Sequence, residues 1–257
     1  MGILNVTPDS FSDGGQFFTP EKAVARGREI EQEGADILDI GGESTRPGSE
    51  PITESEEMRR VLPVIEALAA VLRIPISVDT YRAAVARRAI EAGAQIVNDI
   101  SAFRFEPEMA QVVAESGAGV VLMHSRGSRQ WLHRQDPMRD PVAQVQAELD
   151  LAAQEARAAG IPEDRIVLDP GIGFGKAADE SVAVLKNLSA FSKLGYPLLV
   201  GTSRKSFVRT ITSDSPEARH WGTAATIVAA ILNGAHVVRV HDVRQTRVLA
   251  DVADRIA

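Results

Sequence analysis

The sequence predicts an α/β fold, a (β/α)8 TIM barrel that forms a single domain over residues 1–257. Eight short apolar runs alternate with stretches of helical periodicity, and most of these runs end in a polar residue. No composition shift or linker divides the 257 residues. Strands that alternate with helices form parallel sheets, and eight such units at this length fit a barrel with its active-site loops after the strands. A doubly wound open sheet is the alternative.

The predicted strands are rich in aliphatic and β-branched residues and are bounded by glycine, proline or acidic residues. They comprise residues 1–5, 36–40, 74–79, 95–100, 119–124, 166–169, 197–202 and 236–241. Helices are predicted over residues 20–34, 53–72, 82–92, 108–116 and 141–159, and from about residue 245. Thr19 and Pro20 supply an N-cap and a first-turn proline, Thr53 and Glu56 have capping-box spacing, and Gly160 ends a helix.

The composition excludes several classes of protein. A net charge of −7 and a pI near 5.3 argue against a surface for nucleic acids or anionic membranes. The absence of cysteine excludes disulfides, thiolate zinc sites and a cysteine nucleophile, and it fits a cytoplasmic protein. The longest apolar run, residues 224–232, is about half a membrane span, and the chain opens without a signal peptide. We therefore expect a cytoplasmic protein with neither nucleic-acid nor membrane partners.

Residues 165–176, RIVLDPGIGFGK, are the stretch around which the rest of the chain is organised. A buried strand delivers Asp169 to a loop with three alternating glycines, where a carboxylate can hold a ligand. The glycine spacing differs from the dinucleotide fingerprint, and Ala177 stands where a P-loop needs a hydroxyl after Lys176. Alone, such an Asp is more often a turn or cap residue than a ligand-binding group.

Nearly all of the other predicted strands also end in, or are followed by, polar side chains. They are Asn5, Asp39, Asp79, Asn98, Met123-His124, Asp169, Arg239 and His241, with Arg204, Lys205 and Ser206 after the seventh strand. Each alone has a structural explanation as a cap or ion pair, and His124 and His133 fit ordinary loop residues. Strand side chains alternate, so a barrel would gather these ends into one polar bowl above an apolar core. Their convergence favours a functional site.

The bowl's composition indicates what it binds. Its carboxylates and amide suit a flat heterocycle rich in donors, because Asp pairs bidentately with an amidine-like edge. Its cations suit phosphate or pyrophosphate. These cations are Arg46, Arg204, Lys205, Arg239 and His241. No two histidines have metal-ligand spacing, so a zinc site is not expected. The sequence thus favours a substrate that joins a heterocycle to a pyrophosphate leaving group.

Eight motifs at these strand ends carry a family resemblance over essentially the whole chain. They are GILNVTPDSFSDGG (2–15), DIGGESTRPG (39–48), SVDT (77–80), NDI (98–100), LMH (122–124), LDPGIGFGK (168–176), SRKS (203–206) and RVHD (239–242). Together they closely resemble the bacterial dihydropteroate synthase family. The resemblance implies condensation of 6-hydroxymethyl-7,8-dihydropterin pyrophosphate with p-aminobenzoate, giving 7,8-dihydropteroate and pyrophosphate in folate biosynthesis. Because the substrate itself brings the nucleophilic amine, no cysteine or Ser–His pair is needed.

The resemblance also implies a role for each residue that matches a family motif. The pterin would be bound by Asp79, Asn98, Met123, Asp169 and Lys205. The pyrophosphate would be bound by Asn5, Arg46, Arg239 and His241, with Asn5 acting as the ligand of a Mg²⁺ cofactor. The p-aminobenzoate would be bound by Pro8, Thr45, Arg46, Phe174, Lys205 and Ser206. The catalytic residues would be Asp79, Lys205, Arg239, His241, Asp39 and Asp9.

Three expectations concern the loops and the start of the chain. Family members usually carry a segment before the first strand, and this sequence begins at that strand. The basic loop 125–140, which carries Trp131, is interpreted as a surface excursion, with a lid or interaction patch as the alternative. Residues 6–18 and 41–51 are hypothesised to order over the site and exclude water, which competes with the amine.

The resemblance further implies sulfonamide inhibitors and a homodimer as partners. Certain resistant relatives carry an insertion after the sixth strand, and Gly173-Phe174-Gly175 runs through uninterrupted here, which predicts sensitivity. The family's dimers form through outer helices of the later half, where residues 223–232 are apolar on nearly every face. Burial of that helix within one chain is the alternative.

Two other functions compete with this one. A methyltetrahydrofolate-type pterin methyltransferase barrel would share the Asp and Asn contacts but have little use for SRKS and RVH. A non-catalytic pterin-binding protein would be favoured by loss of Asn5, Asp79, Lys205 or Arg239, and all four are present.

Overall fold

The structure is a computed structural model that describes residues 1–7, 19–45, 48–132 and 135–256. The strands within these ranges are β1 (Gly2–Asn5), β2 (Leu38–Gly41), β3 (Ile76–Asp79), β4 (Ile96–Asp99), β5 (Gly119–Met123), β6 (Ile166–Asp169), β7 (Leu199–Val200) and β8 (Val237–Val238). The helices are α1 (Pro20–Gln32), α2 (Glu54–Ala69), α3 (Ala83–Glu91), α4 (Glu108–Ser116), α5 (Pro141–Ala158), α6 (Ala178–Lys186), α7 (Phe207–Ile211), α8 (Pro216–Leu232) and α9 (Val243–Ile256).

The strands close into the predicted barrel. Strands β1 to β6 form a parallel sheet in chain order, and β7 pairs with β8 in parallel. Hydrogen bonds join these two groups on both sides. Leu168 N donates to Pro197 O over 2.9 Å, and Ile3 N donates to Val240 O over 2.9 Å. Because all carboxyl ends point the same way, the loops that carry the polar motifs meet at one end of the barrel.

Strands β7 and β8 are only two residues long, shorter than the predicted runs 197–202 and 236–241. Beyond β7 the chain turns at once, and Lys205 N donates to Thr202 O over 3.2 Å. The residues after β8 continue only as an isolated bridge from Val240 to β1. The last residues of these two predicted strands therefore lie in the loops that carry the SRKS and RVHD motifs.

The predicted capping box at the start of α2 is half present. Thr53 Oγ1 accepts a hydrogen bond from Glu56 N over 3.2 Å, as expected of an N-cap. The Glu56 carboxylate does not return to the cap; it accepts hydrogen bonds from Arg59 and Arg60 instead. Thr19 precedes α1 in extended conformation and makes no side-chain cap hydrogen bond. Of the two predicted start signals, only Pro20 at the first helical position therefore favours the start of this helix.

Alternation along the strands separates two faces. Residues such as Ile40 and Val78 are fully buried in the main core, which also contains apolar residues of the surrounding helices. Residues of the opposite parity, such as Val121 and Val167, form a smaller apolar cluster inside the barrel. The next position of the same parity in β6 is Asp169. The polar strand ends thus stand directly above an apolar barrel floor, as predicted.

Helices α8 and α9 leave apolar surface uncovered. Thr223, Ile227 and Ala230 of α8 are buried, whereas Trp221 and Leu232 are exposed. The run 223–232 is therefore only partly buried in the chain's own core. No helix within the described ranges is long and apolar enough to cross a membrane.

Candidate active site

Arg239 joins two carboxylates at the carboxyl end of the barrel. Its Nε donates to Asp39 Oδ2 over 2.6 Å, and its Nη2 donates to Asp79 Oδ2 over 2.5 Å. Asn98 Nδ2 donates to the same Asp39 oxygen over 3.1 Å. Asp39 is fully buried, so the guanidinium supplies the charge that its carboxylate requires. The ends of β2, β3, β4 and β8 therefore meet, as the sequence predicted.

Burial shapes the protonation of this group. It raises the pKa of Asp79, an effect that Arg239 opposes and that Asp39 reinforces. Burial lowers the pKa of Arg239, but Asp39 and Asp79 outweigh it and hold that pKa above its ordinary value. Among the described residues, Asp39 Oδ1 and Ser77 Oγ are buried atoms without a hydrogen-bond partner. Such unsatisfied atoms are typical of a site that a polar ligand completes.

Asp169 shapes the glycine-rich loop after β6. Its Oδ1 accepts a hydrogen bond from Gly171 N over 2.7 Å. Gly171 has a φ of +65°, and a Cβ atom there would lie 1.8 Å from the carbonyl oxygen of His124. Only glycine fits this turn, because it allows both the left-handed backbone and the close approach. Burial raises the pKa of Asp169 to about 6, while the Gly171 N–H and Lys205 oppose the shift.

Lys205 lies on the ring of Phe174. Its Nζ is 3.7 Å from the ring centroid, which brings the loops after β6 and β7 together in a cation–π contact. Burial and the charge of Arg239 lower the pKa of Lys205 to about 8, while Asp169 and Asp79 oppose this shift. The preceding residue, Arg204, has a φ of +60°. A non-glycine residue in this conformation is strained, as is common beside functional groups.

The other predicted residues of the late loops differ in placement. His241 Nδ1 lies 3.0 Å from Ser203 Oγ, a hydrogen bond that orients the imidazole. Ser206 is exposed at the start of α7. Arg204 was predicted among the anion-binding cations, but its Nη2 donates to exposed Asp242 Oδ1 over 2.7 Å. That ion pair points Arg204 away from the buried carboxylates.

Met123 lies in the apolar wall of the site. It is 4% exposed and packs in a cluster with buried Ile100 and Leu132. Partly buried Phe105 and Phe174 pack against the same cluster. Met123 is thus part of an apolar cluster, and its contact with a bound ring stays a prediction.

The remaining predicted residues lie in the early loops. Asn5 is half-buried at the end of β1, where it pairs in register with Gly41 of β2, and Thr45 is half-buried after β2. Pro8, Asp9, Arg46 and His133 lie outside the described residues. Within the described ranges, no three histidine, aspartate or glutamate side chains cluster in a way that could hold a metal. The chemistry of Asn5 offers a single hard oxygen, which fits a Mg²⁺ ion that keeps its waters and substrate phosphates as further ligands.

Sequence reasoning missed a chain of polar contacts that joins the glycine-rich loop to buried His124 and to Glu148 on α5. Lys176 Nζ lies 2.7 Å from His124 Nδ1 and donates to Gly171 O over 3.0 Å, with longer bonds to the carbonyls of Phe174 and His124. His124 Nε2 lies 3.0 Å from Glu148 Oε2. Lys176 lies within the glycine-rich motif, so its place in that motif could have indicated a role for it at the site. Glu148 lies in mid-helix α5, where nothing in the sequence marks it.

The protonation of this chain follows from burial. Burial lowers the pKa of His124 to about 4 and that of Lys176 to about 7. The His124 hydrogen bond lowers the pKa of Glu148 to about 2. At neutral pH the imidazole is therefore neutral, so Nε2–H donates to Glu148 and Nδ1 accepts from Lys176. His124 is therefore a buried imidazole with a partner at each ring nitrogen, and the expectation of an ordinary loop residue is wrong.

A second group that was missed joins the loops after β2 and β5. Glu43 is buried and accepts a hydrogen bond from Arg129 Nε over 2.7 Å. Arg82 Nη2 lies 2.9 Å from the same carboxylate, and Tyr81 OH donates to it over 3.1 Å. The described part of loop 125–140 is therefore not only a surface excursion. Trp131 is exposed, but Arg129 reaches inward.

Comparison with known proteins agrees with this geometry. The family described as "Pterin binding enzyme" matches residues 1–241. Dihydropteroate synthase of Bacillus subtilis (strain 168) is 48% identical over 254 residues, which cover 99% of this chain and 87% of that protein.

Solved structures of similar proteins share the fold. Dihydropteroate synthase of Xanthomonas albilineans with 4-aminobenzoic acid has a TM-score of 0.92 and 44% identity, over 99% of this chain and 91% of that one. Dihydropteroate synthase of Yersinia pestis with a sulfonamide drug complex has a TM-score of 0.92 and 39% identity, over 99% of this chain and 92% of that one. The chain therefore belongs to the pterin binding enzyme family and, within it, to the dihydropteroate synthases.

Proposed function

We propose that this chain condenses 6-hydroxymethyl-7,8-dihydropterin pyrophosphate with p-aminobenzoate to 7,8-dihydropteroate and pyrophosphate. Its curated relatives are dihydropteroate synthases, which are transferases of folate biosynthesis. The observation that carries the proposal is the convergence of Arg239, Asp39, Asp79 and Asn98 beside the Lys205–Phe174 contact. Carboxylates and cations thus lie close together at this end of the barrel, which supports binding of a substrate that joins a heterocycle to a pyrophosphate.

The carboxylates are proposed to bind the pterin. Asp79, Asn98 and Asp169 offer acceptors to the ring's N–H and amino groups, and Met123 packs on its face. The Asp79 and Asp169 carboxylates also favour positive charge on the ring as the methylene carbon becomes electron-poor. Charged groups fixed before the reaction stabilise developing charge without reorganisation.

The pyrophosphate is proposed to lie toward Arg239 and His241, with Arg46 and Asn5 completing the pocket. Ser203 Oγ lies 3.0 Å from Nδ1 of His241 and orients the imidazole, whose proposed role is to bind the pyrophosphate. Arg239 is held by two carboxylates, so its position is set before substrate binds. A Mg²⁺ ion ligated by Asn5 would supply further positive charge to the leaving group.

The p-aminobenzoate is proposed to lie against Phe174, Lys205, Ser206 and Thr45, with Pro8 and Arg46 from the early loops. Its amine nitrogen attacks the exocyclic methylene carbon of the pterin. The C–O bond to pyrophosphate breaks, a C–N bond forms, and the nitrogen loses one proton. The protein contributes by orienting the two rings, which removes much of the entropic barrier of a bimolecular step. Asp9 and Asp39 are proposed to support this site.

We also propose a homodimer, supported by the apolar surface of α8 and α9. Val248, Val252 and Ile256 are exposed and spaced four residues apart, so they share one face of α9. Exposed Trp221 adds an aromatic side chain on α8, which contacts α9. Light scattering should give twice the chain mass of 27.6 kDa, and Val252→Glu should shift it toward that of one chain. A wild-type protein with the mass of a single chain would contradict this.

Pyrophosphate release measured with Mg²⁺, with and without p-aminobenzoate, tests the proposed reaction. Dihydropteroate should form only with both substrates, and turnover should collapse in Lys205→Ala. Lys186→Ala, which removes an exposed lysine of α6, is the matched control and should behave as wild type. Tight pterin binding without pyrophosphate release would instead indicate a binding protein or a methyltransferase-like barrel.

A further inference from the structure

The β5–α5 loop, residues 124–140, contacts two of the loops that are proposed to bind p-aminobenzoate. Arg129 reaches the β2–α2 loop, and Arg126 reaches the loop after β6. We propose that Arg129 is a positioning residue for the arylamine: it holds the β2–α2 loop so that Thr45 faces the site at the right place. This inference rests on the proposed function and adds a residue to which no role has been assigned.

Arg129 contacts the β2–α2 loop on both sides of Thr45. Its Nη2 donates to Ser44 O over 2.8 Å and lies 3.3 Å from Ser49 Oγ. Ser49 Oγ in turn donates to Ser44 O over 2.5 Å, so the two flanks are also joined to each other. One planar guanidinium thus fixes the described residues before and after the segment that carries Thr45. A lysine has a single donor nitrogen, so it cannot reproduce the separate Nε and Nη2 contacts of this planar group.

The Glu43 ion pair anchors that guanidinium. Arg129 Nε donates to Glu43 Oε1 over 2.7 Å, and the Glu43 side chain is 3% exposed. A charged hydrogen bond at a buried carboxylate is stronger than a surface ion pair. Arg82 lies 2.9 Å from Glu43 as well, so removing Arg129 does not leave the carboxylate without a cation. Loss of Arg129 should therefore loosen the loop without unfolding the barrel.

The β5–α5 loop is itself fixed to the site, which allows it to position another loop. Leu132 is fully buried in the apolar cluster that contains Met123. Arg104 Nη2 donates to Ser125 O over 2.6 Å. Arg126 Nη1 donates to Gly175 O over 3.2 Å, next to Phe174 in the loop after β6. The β5–α5 loop thus fixes the position of the β2–α2 loop relative to Phe174 and to the apolar cluster that contains Met123.

Steady-state kinetics with both substrates tests the inference. Arg129→Ala should raise the KM for p-aminobenzoate about tenfold, because a misplaced loop loses contacts to that substrate alone. The KM for the dihydropterin pyrophosphate and the kcat at saturating p-aminobenzoate should stay within about twofold of wild type. Arg129→Lys should give an intermediate KM, since it keeps the charge at Glu43 but loses the bonds to Ser44 and Ser49. Arg139→Ala, an exposed arginine of the same loop, is the matched control.

Hydrogen–deuterium exchange of the substrate-free protein provides a readout that does not depend on turnover. Peptides that cover residues 43–52 should exchange faster in Arg129→Ala than in wild type and Arg139→Ala, while peptides from β6 should not change. Unchanged exchange, or an equal rise in the KM of both substrates, would overturn the inference. A wild-type protein that forms no dihydropteroate would instead refute the proposed function, and the exchange experiment would still decide the role of Arg129.

Discussion

The ammonium group of Lys205 lies 3.7 Å from the centre of the Phe174 ring, and this contact lies where the proposed pterin and p-aminobenzoate pockets meet. Phe174 comes from the loop after β6, whose start is fixed by Asp169, and Lys205 comes from the turn after β7. A change in either residue should therefore alter the kinetic parameters for both substrates, but to different extents.

Truncating Lys205 and Phe174 should separate these two contributions. Lys205→Ala removes a positive charge from the place where the proposed pterin and p-aminobenzoate pockets meet, and we expect a loss of about 100-fold in kcat/KM. Phe174→Leu keeps an apolar side chain but removes the ring, so we expect a rise of about fivefold in the KM for p-aminobenzoate with a smaller change in kcat. Initial-rate measurements of both variants, with Lys186→Ala beside them, check this. Equal changes in both kinetic parameters for Phe174→Leu would contradict it.

Sulfonamides should inhibit this enzyme competitively with p-aminobenzoate. The similar Yersinia pestis enzyme was solved as a sulfonamide drug complex, and Gly173-Phe174-Gly175 is uninterrupted here. An arylamine analogue that occupies the same pocket should raise the apparent KM for p-aminobenzoate and leave kcat unchanged. Turnover that is unaffected at a large excess of drug over p-aminobenzoate would refute the prediction.

The pH dependence of kcat/KM should be bell-shaped, with limbs near the pKa values of Asp169 and Lys205. Burial raises the pKa of Asp169 to about 6, so activity should fall as the pH drops through that value and the acceptor is protonated. Burial lowers the pKa of Lys205 to about 8, so activity should fall again as the pH rises through it. The buried Asp79 carboxyl, whose pKa is also raised, would strengthen the acid limb.

The variant Lys205→Arg identifies the alkaline limb. Arginine stays protonated throughout the measurable range, so that limb should move above pH 9 or so while the acid limb stays. Lys176, with a pKa lowered to about 7 by burial, is the other group that titrates nearby. A limb that does not move in Lys205→Arg would assign it to Lys176 and contradict the role given to Lys205.

The barrel and most of its polar strand ends could be predicted from sequence because both depend on local patterns. Alternation in the strands fixes which side chains share a face, and parallel strands bring their carboxyl ends together. That logic correctly brought together Asp39, Asp79, Asn98 and Arg239. It could not say that Arg239 pairs with two carboxylates, because that contact spans 200 residues of the chain.

Contacts made by long, flexible side chains were not predictable in this way. Arg204 follows β7 directly, yet its strained backbone turns it outward to Asp242, and Lys205 takes the inner position. Arg129 lies in a loop without periodicity, and Glu148 lies in mid-helix, so neither has a local signal of its role. Their contacts with Glu43 and His124 form only when the fold brings distant parts of the chain together.

Asp169→Asn should stabilise the fold while it reduces activity. The Asn carbonyl oxygen can still accept the Gly171 N–H, so the loop's turn is kept. In the wild type the pKa of Asp169 rises from 3.8 to about 6 in the folded state, because burial disfavours the charged form. A folded-state pKa above the unfolded one means stability that is present below pH 4 or so and lost as the pH rises through about 6. The free energy of unfolding of the neutral variant does not fall in this way as the pH rises.

The expected gain of Asp169→Asn over wild type at pH 8 is up to about 3 kcal/mol in the free energy of unfolding, shrinking toward zero near pH 4. Urea denaturation of both proteins at pH 4, 6 and 8 measures it, and Asp164→Asn, which changes an exposed carboxylate just before β6, is the matched control. A difference that is the same at all three pH values would show that the wild-type carboxyl titrates normally. A gain that grows with pH, together with lost turnover, would show that this carboxylate is kept charged in the barrel for its contact with the substrate, at the expense of stability.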